Sequence, residues 1–579
     1  MVNIQGKNNA ASGKTASRDL TKLGLSLVIL FLLNYVGSFY FHRFDLTSEK
    51  RYTLSPQSKK IAENIQGSAF FKVYLEGKKL PAGLIRLRDE TKEMLDEFRA
   101  YSGGKIQYEF VDPSANPNPD ERQAFYKQLY KEGLAPIDLH VQESSGNSEQ
   151  MVFPGAILSY RGREVALIIL QNQGSQDPMT AINYSIEELE YDIDNAIHKL
   201  SIDIKPRIAF IEGHGELDSI QTAGAQKALE EYYNIRRISI GHRSGALLDS
   251  GGVVRYKAII IAKPDTVFSE PDKLSIDQYI MHGGKVFWLV SPLYAPMDTL
   301  AKEGRMMAFP NDMNLDDLLF QYGVRLNDNV VLDFQCSAIP VNTALSGEQP
   351  QWELQQWFYE PLIGPVGSSS IVKNLSLVEF NMASTLDTIG VRNVKKTILL
   401  ATSKYTKLQT TPARVSIGIT QLHLDESLFT KSFQPVAVLL QGRFISLYKG
   451  RIPHPYDTAK KFYFKPVSDT TAMIVVSDGD VIENGIDFHG TNALPLGSDK
   501  YTMQQYGNKD FILNCMNYLC GDSNLLSVRG RELKIRLLDN KKVALQKTQW
   551  QVINLVVPVL LIIFLGLIFA AVRKERYAK

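Results

Sequence analysis

Residues 205–218 read KPRIAFIEGHGELD, and the fold turns on how this stretch is understood. Arg207–Glu212 (RIAFIE) is a short, nearly continuous apolar run of the kind that forms a strand buried on both faces of a parallel sheet. The glycines around His214 mark a tight turn, and a helix is expected from about Ile220 to Tyr232. Outward from there, Asn234–Ile240, Ala258–Ala262 and Lys285–Val290 (KVFWLV) read as further strands, with Leu274–His282 as a helix stopped by Gly283-Gly284. Strands alternating with helices predict a doubly wound parallel α/β sheet over residues 204–524. Val436–Leu440, Ala472–Ser477 and the helix Lys509–Leu519 are expected to return to it. Residues 335–470, rich in Pro, Gly and aromatics such as Trp352, Trp357 and Tyr359, read as a β-rich insertion or edge elaboration.

Upstream, residues 67–203 carry a second alternating pattern. Strands are expected at Phe70–Leu75, Lys105–Val111 and Ile137–Val141, and helices at Leu84–Tyr101 and Pro119–Glu132. A hairpin, Ala156–Tyr160 and Glu164–Leu170, turns at Arg161-Gly162, and the long helix Tyr184–Ser201 presents Ile186, Leu189, Ile193, Ile197 and Leu200 on one face. This order suits a thioredoxin-like α/β domain. No Cys-x-x-Cys is present, so thiol redox chemistry is excluded. Residues 42–66 read as a linker helix, with Ser55 as cap and Pro56 in the first turn.

Val552–Val572 contains twenty-one residues without a charge, followed by the tail RKERYAK. That is long enough to cross a hydrocarbon core of about 30 Å. Leu23–Phe41 is a nineteen-residue uncharged run preceded by Lys7, Lys14, Arg18 and Lys22. Basic flanks favour the cytoplasmic side. The expected arrangement is a cytoplasmic tail (1–22), a first span (23–41), an ectodomain, a linker (525–550), a second span (551–572) and a cytoplasmic tail (573–579). Within the second span Gly566 and Ala570 form a small-residue face suited to helix packing.

The chain has 579 residues with 64 basic and 62 acidic side chains, a net charge of +2 and no basic stripe, which argues against nucleic acid as a partner. The sharpest site candidate is Glu212, Gly213, His214, Gly215 and Glu216. Parallel sheets place ligands at this carboxyl end of a strand, and His with two carboxylates suits a divalent cation. The alternative is a tight turn whose polar groups cap the helix. Asp478-Gly479-Asp480 has carboxylates around a glycine but lacks the calcium-loop pattern and reads as a turn. Val290-Ser291-Pro292 invites comparison with class I amidotransferase-like domains, which share this flavodoxin-like layout, yet neither G-x-S-x-G nor G-x-C-x-G occurs. Cys336, Cys515 and Cys520 read as buried free thiols. The histidines form no metal-binding pair, and no P-loop or dinucleotide fingerprint exists, so neither metal nor cofactor is expected.

Taken together in order, RYTLSPQSKK, FKVYLEG, EFRAYSGGKIQYEFVDPSANP, YSIEELEYDIDNAIHKLS, KPRIAFIEGHGELD, GGKVFWLVSP, NYLCGDSNLLSVRGRELKIRLLD and the closing span with RKERYAK resemble gliding-motility-associated ABC transporter auxiliary proteins of the GldG type. The resemblance covers nearly the whole chain. It implies a non-catalytic inner-membrane subunit with a large periplasmic domain. Its partners would be an ABC-2-type permease, a separate cytoplasmic ATPase reached through that permease, the lipid bilayer, and envelope components of gliding and type IX secretion. Two copies per complex are expected from the two-fold build of such transporters. The family has also been labelled substrate-binding, which makes the Glu212–Glu216 turn a candidate ligand site.

Overall fold

The computed structural model describes residues 22–32, 35, 53–77, 80–143, 146–171, 178–243, 246–344, 349–422, 424–450, 464–487, 492–502, 504–521 and 540–577. Two compact units emerge, Met1–Arg531 and Glu532–Lys579. Near the start of the first, Lys22–Leu32 is helical. The rest of the expected span 23–41, apart from Tyr35, lies outside the described residues, as do the tail 1–21 and residues 522–539 of the expected linker.

The first hydrophobic core of the larger unit gathers around a four-stranded sheet. In chain order the elements are α1 (Pro56–Glu63), β1 (Ala69–Val73), α2 (Ala82–Tyr101), β2 (Ile106–Phe110), α3 (Pro119–Lys131), β3 (Ile137–Glu143), β4 (Gly146–Val152), β5 (Gly155–Tyr160), β6 (Arg163–Ile168) and α4 (Pro178–Ser201). The sheet runs β2-β1-β5-β6, with β1 parallel to β2 and the remaining pairs antiparallel. Arg161 (φ 53°) and Gly162 (φ 71°) both lie in the left-handed region, as the tight turn between β5 and β6 requires. The apolar face of α4 packs with Leu87, Leu95 and Phe98 of α2 and with Phe71 and Leu158 of the sheet. The strand expected at Ile137–Val141 does not join this sheet. It pairs with β4, a polar segment without a strand pattern, as a separate hairpin.

A ten-stranded sheet organises the rest of the unit. Its elements are β7 (Arg207–Glu212), α5 (Ala223–Glu230), β8 (Asn234–Ser239), β9 (Ala258–Ala262), α6 (Glu270–Met281), β10 (Val286–Leu289), β11 (Cys336–Asn342), β12 (Trp352–Pro365), β13 (Val394–Ala401), β14 (Pro435–Gly442), β15 (Thr471–Val476) and α7 (Asn508–Cys520). The order is β11-β12-β13-β14-β15-β10-β9-β7-β8, with Val378–Glu379 paired to β12. From β8 to β15 neighbouring strands are parallel, and from β15 to β11 they are antiparallel. Residues 335–470 are therefore not only an edge elaboration, because β13 and β14 carry the main sheet onward from its central strand β15.

Alternating side chains build a core on each face, which is why β7 is apolar from Ile208 to Ile211 and β9 (AIIIA) is apolar throughout. Ile208, Phe210, Ile260, Phe287 and Ile474 pack with Leu229 of α5 and with Phe511 and Cys515 of α7. Ala209, Ile211, Ile259, Ile261, Trp288 and Val475 pack with Ile276, Tyr279 and Ile280 of α6. Helix α6 is buried from Asp272 to Met281, polar residues included. Asp277 in its middle accepts hydrogen bonds from Tyr322 Oη (2.8 Å), Ser446 Oγ (2.7 Å), Leu447 N (3.0 Å) and Gln278 Nε2 (2.9 Å), fastening the neighbouring helix and a loop to α6.

The second unit contains α8 (Asn540–Tyr577), with Pro558 inside it. Its segment Gln546–Glu575 is long and apolar enough to cross a membrane. Residues 540–550, expected as linker, already belong to this helix. At about 1.5 Å per residue the helix exceeds a bilayer core of about 30 Å by several turns.

Candidate functional site

Among the parallel strands the order, numbered along the chain, is second, first, third, fourth, fifth. Strand order therefore reverses between β7 and β9, and ligands of such sheets bind outside the carboxyl ends of the strands at that reversal. The turn Glu212–Glu216 sits there. Gly213 and Gly215 have φ of 120° and 73°, and a Cβ on Gly215 would coincide with the Asp265 carboxylate. Only glycine lets the turn press this closely on the loop after β9.

The polar groups of the turn are bound within the protein. His214 is 4% exposed, and its ring stacks on Phe268 with centroids 3.8 Å apart. Its carbonyl oxygen accepts from Asp265 N (2.9 Å) and Thr266 N (3.1 Å), clipping the β7 turn to the β9 loop. Its amide donates to Glu216 Oε2 at 2.7 Å. Nδ1 lies 3.1 Å from Glu216 Oε1 and Nε2 3.2 Å from Asp272 Oδ2, so each ring nitrogen faces a carboxylate. Asp272 also accepts from Ser269 Oγ (2.6 Å), from the His242 amide (2.8 Å) and lies 2.8 Å from His242 Nδ1. Glu212 pairs with Arg237, which also donates to Thr222 Oγ1 at 3.1 Å.

Two carboxylates on one imidazole select the doubly protonated ring. Burial opposes that charge, but Glu216 and Asp272 outweigh it, and the His214 pKa rises above its ordinary value. Burial likewise opposes ionisation of Asp272, yet Ser269 and His214 hold its carboxyl below the usual range. A histidine whose folded pKa is raised contributes stability that is complete below the unfolded value of about 6.5 and is lost as pH climbs through the folded value. Thermal melts of the full chain should therefore drop from about pH 6.5 upward, and His214→Gln should reduce that slope. Burial pushes Glu360 and Glu379 up to about 7 and about 8, which adds a slope of the same sign. The difference between wild type and variant isolates His214, and identical slopes would refute its role.

The rest of the carboxyl edge is similarly filled. Gly224 N, in the first turn of α5, donates to Asn484 Oδ1 at 3.0 Å, while Asn484 Nδ2 reaches Ile220 O at 3.2 Å. A Cβ on Gly224 would lie 3.1 Å from Leu496 N, so the N-terminus of α5 is covered where such folds commonly hold anions. Asp478-Gly479-Asp480 reaches the same edge, with β9 and β10 between it and the Glu212–Glu216 turn. Buried Asp478 accepts from Asn381 N (2.7 Å) and Asp480 N (2.8 Å), and burial pushes its carboxyl up to about 6. Lys263, after β9, pairs with Asp480 and Glu483. Ser291 Oγ accepts from Gly479 N at 2.9 Å, a structural use of the hydroxyl. Cys515 and Cys520 are buried and Cys336 half-buried, and none of the three is in a disulfide. Among the described residues no group of three or more His, Cys, Asp or Glu is placed to hold a metal ion. Gly566 of α8 has open space around it.

Asp272 and Asn484 escaped sequence reasoning because they lie far along the chain from the residues they hold. The helix expected from Leu274 in fact starts at Glu270, capped by Ser269, whose side chain accepts from Asp272 N; this Ser-x-x-Asp pattern is a signal that could have placed the start of α6, though not the contact with His214.

Fold and site thus define a mixed α/β protein whose carboxyl edge is occupied by its own side chains, in a chain that also contains an apolar helix of membrane-spanning length. Residues 205–515 match the family described as an ABC-type uncharacterized transport system, and residues 48–159 match a domain of unknown function. The first match spans more than half of the chain, which belongs to this family of ABC transport auxiliaries. An uncharacterized protein of Borreliella burgdorferi is 23% identical over 328 residues, 56% of this chain and 58% of that protein. The chain therefore spans under two thirds of that relative. Similar solved structures include the mmIFT52 N-terminal domain (13% identity, TM-score 0.30, 54% of this chain and 97% of that one). A ThuA-like protein from Parabacteroides merdae gives 10% identity and a TM-score of 0.27, over 55% of this chain and 91% of that one.

Proposed function

We propose that this chain is a non-catalytic auxiliary subunit of an ABC-2-type transporter complex, of the GldG type that serves gliding motility and type IX secretion. It couples movement of a permease and its cytoplasmic ATPase to the periplasm. The observation that carries this reading is the filled carboxyl edge. At the positions where a related sheet would receive a ligand, this chain places His214 between Glu216 and Asp272, Asn484 on the start of α5, and Lys263 between Asp480 and Glu483. Such an edge suits a rigid body that is moved rather than a site that is loaded. In this reading 67–203 is a thioredoxin-like spacer and 204–524 the main body. Spans at 23–41 and 551–572 hold both ends beside the permease, with both tails cytoplasmic. The full chain, extracted in detergent from its own cells, should copurify with a permease and an ATPase. Recovery of the chain without either would overturn the proposal.

A ligand-binding reading is favoured by the place of the Glu212–Glu216 turn at the strand reversal and by the half-exposed side chain of Glu212. Glu212→Gln distinguishes the two. Loss of motility at normal membrane abundance would support ligand binding, whereas an unchanged phenotype supports the coupling role.

A further inference from the structure

We infer that α1 is fastened to α4 by a proton-dependent latch of Ser55, Ser58, Glu190 and Asp194, and that loss of the Asp194 proton releases it. Ser58 is fully buried where α1 crosses α4. Its Oγ lies 2.6 Å from Glu190 Oε1, 2.5 Å from Asp194 Oδ2 and 2.8 Å from Ser55 Oγ. A serine hydroxyl has one hydrogen and cannot donate to two carboxylates. One carboxyl must therefore supply a proton of its own, or two bare oxygens would face each other at van der Waals overlap.

The surroundings identify which carboxyl that is. Glu190 Oε1 already accepts from Ser55 N at 2.6 Å, so it has two donors and suits the ionised partner. Asp194 is fully buried, and its Oδ1 has no hydrogen-bond partner among the described residues. An ionised carboxylate with a dry, unpartnered oxygen is costly. The consistent assignment is Asp194 Oδ2–H donating to Ser58 Oγ, and Ser58 donating to Glu190. Burial pushes the Asp194 carboxyl well above its ordinary range against the Ser58 bond, and the charge of Glu190 adds to the rise. The other ionisable groups nearby are few. On α1, Lys59 lies over the Tyr101 ring and Lys60 is exposed; α2 contributes buried Glu97; on α4, Glu188 accepts from Asn374 Nδ2, and His198 is one turn beyond Asp194.

The latch sits at a mechanical junction. Leu54, Ala62 and Ile65 around α1 enter the first core, and the chain before α1 leads back toward the apolar run 23–41. Helix α4 in turn holds the large sheet's layer through Glu188 with Asn374, Asn195 with Tyr232 and Lys199 with Glu231. Opening the latch exposes Asp194, whose free carboxyl ionises at ordinary acidic pH, so opening releases one proton. A raised folded pKa means that fastening is complete at low pH and weakens as pH rises toward the folded value. The latch does not depend on the transporter reading, and failure of copurification would leave it standing.

Hydrogen exchange of residues 53–65 in the full-length chain in detergent tests it. After correction for intrinsic exchange, opening should grow with pH between 5 and 8 by up to about tenfold per pH unit, the slope for one proton. Asp194→Asn should abolish the slope, and Ser58→Ala should leave the segment open at every pH. A flat wild-type profile, or an unchanged slope in Asp194→Asn, overturns the proposal. Should that variant fail to fold, infrared spectroscopy of the wild type and Ser58→Ala supplies the decision. The carboxyls of Glu360, Glu379 and Asp478 are also raised and contribute equally in Ser58→Ala, so a protonated carboxyl band present in the wild type, missing from Ser58→Ala and lost in step with exchange supports the latch, and its absence refutes it.

Discussion

Replacing Asp277 with Ala should cost about 3 kcal/mol, one of the largest effects of any single side chain in the larger unit. Asp277 is fully buried, and four donors converge on it: the Tyr322 hydroxyl, the Ser446 hydroxyl, the Leu447 amide and the Gln278 amide group. Alanine leaves the two hydroxyls and the Leu447 amide without that acceptor inside the core, while Gln278 Nε2 keeps the Lys465 carbonyl at 3.2 Å. It also opens the seam through which α6 holds the Asp316–Tyr322 helix and the loop around Ser446. Burial raises the Asp277 pKa, so the native group is itself held at some cost, and Asp277→Asn, which keeps an acceptor oxygen, should lose roughly half as much. Urea unfolding followed by tyrosine and tryptophan fluorescence measures the difference. Equal stabilities of the alanine variant and wild type would show that water replaces the carboxylate, contrary to the buried geometry.

The second large effect is expected in the membrane. In the proposed transporter complex, replacing both Gly566 and Ala570 with Leu should reduce the amount of permease recovered with the chain by on the order of tenfold, equivalent to about 1.4 kcal/mol of association energy. Neither change adds a charge, so α8 remains long and apolar enough to insert. Gly566 has open space around its Cα, and within this helix the larger side chains meet no obstacle. Only a partner helix approaching that face would be pushed away. Ile568→Leu, on the opposite side of the helix, is the control and should leave recovery unchanged. Undiminished recovery of the permease with the double variant would reduce α8 to a tether.

The parts of this architecture that were legible in the sequence are those in which local pattern and burial agree. Ile208–Ile211 within RIAFIE and all of AIIIA are apolar because both faces of β7 and β9 are covered there. The turn at Gly213–Gly215 was legible because glycine alone meets its backbone demands. Helix α6 was readable only in its second half, since Asp272, Lys273, Ser275, Asp277 and Gln278 are buried polar residues that pattern reasoning assigns to solvent. Their burial depends on partners such as Tyr322, Asp317 and Ser446, which are distant in sequence. The same limit applied to the site. The location of His214 could be derived, but its bond to Asp272 crosses 58 positions and follows no spacing rule. In residues 335–470, Val394–Ala401 mixes lysines with apolar residues because only its last three positions are buried.

The strand at the middle of the large sheet is also among the last to be made. Trp288 of β10 is paired with Val475 of β15, so the centre of the sheet waits for almost the whole body to be synthesised. Until then β10, with the sequence VFWL, has a bare and entirely apolar edge. Contacts so distant in sequence are closed slowly, and unpaired apolar strands associate readily with one another. The cell must therefore either shield this chain during its synthesis or keep it extended until the last strand arrives, which makes folding, rather than final stability, the step at which this protein is most easily lost.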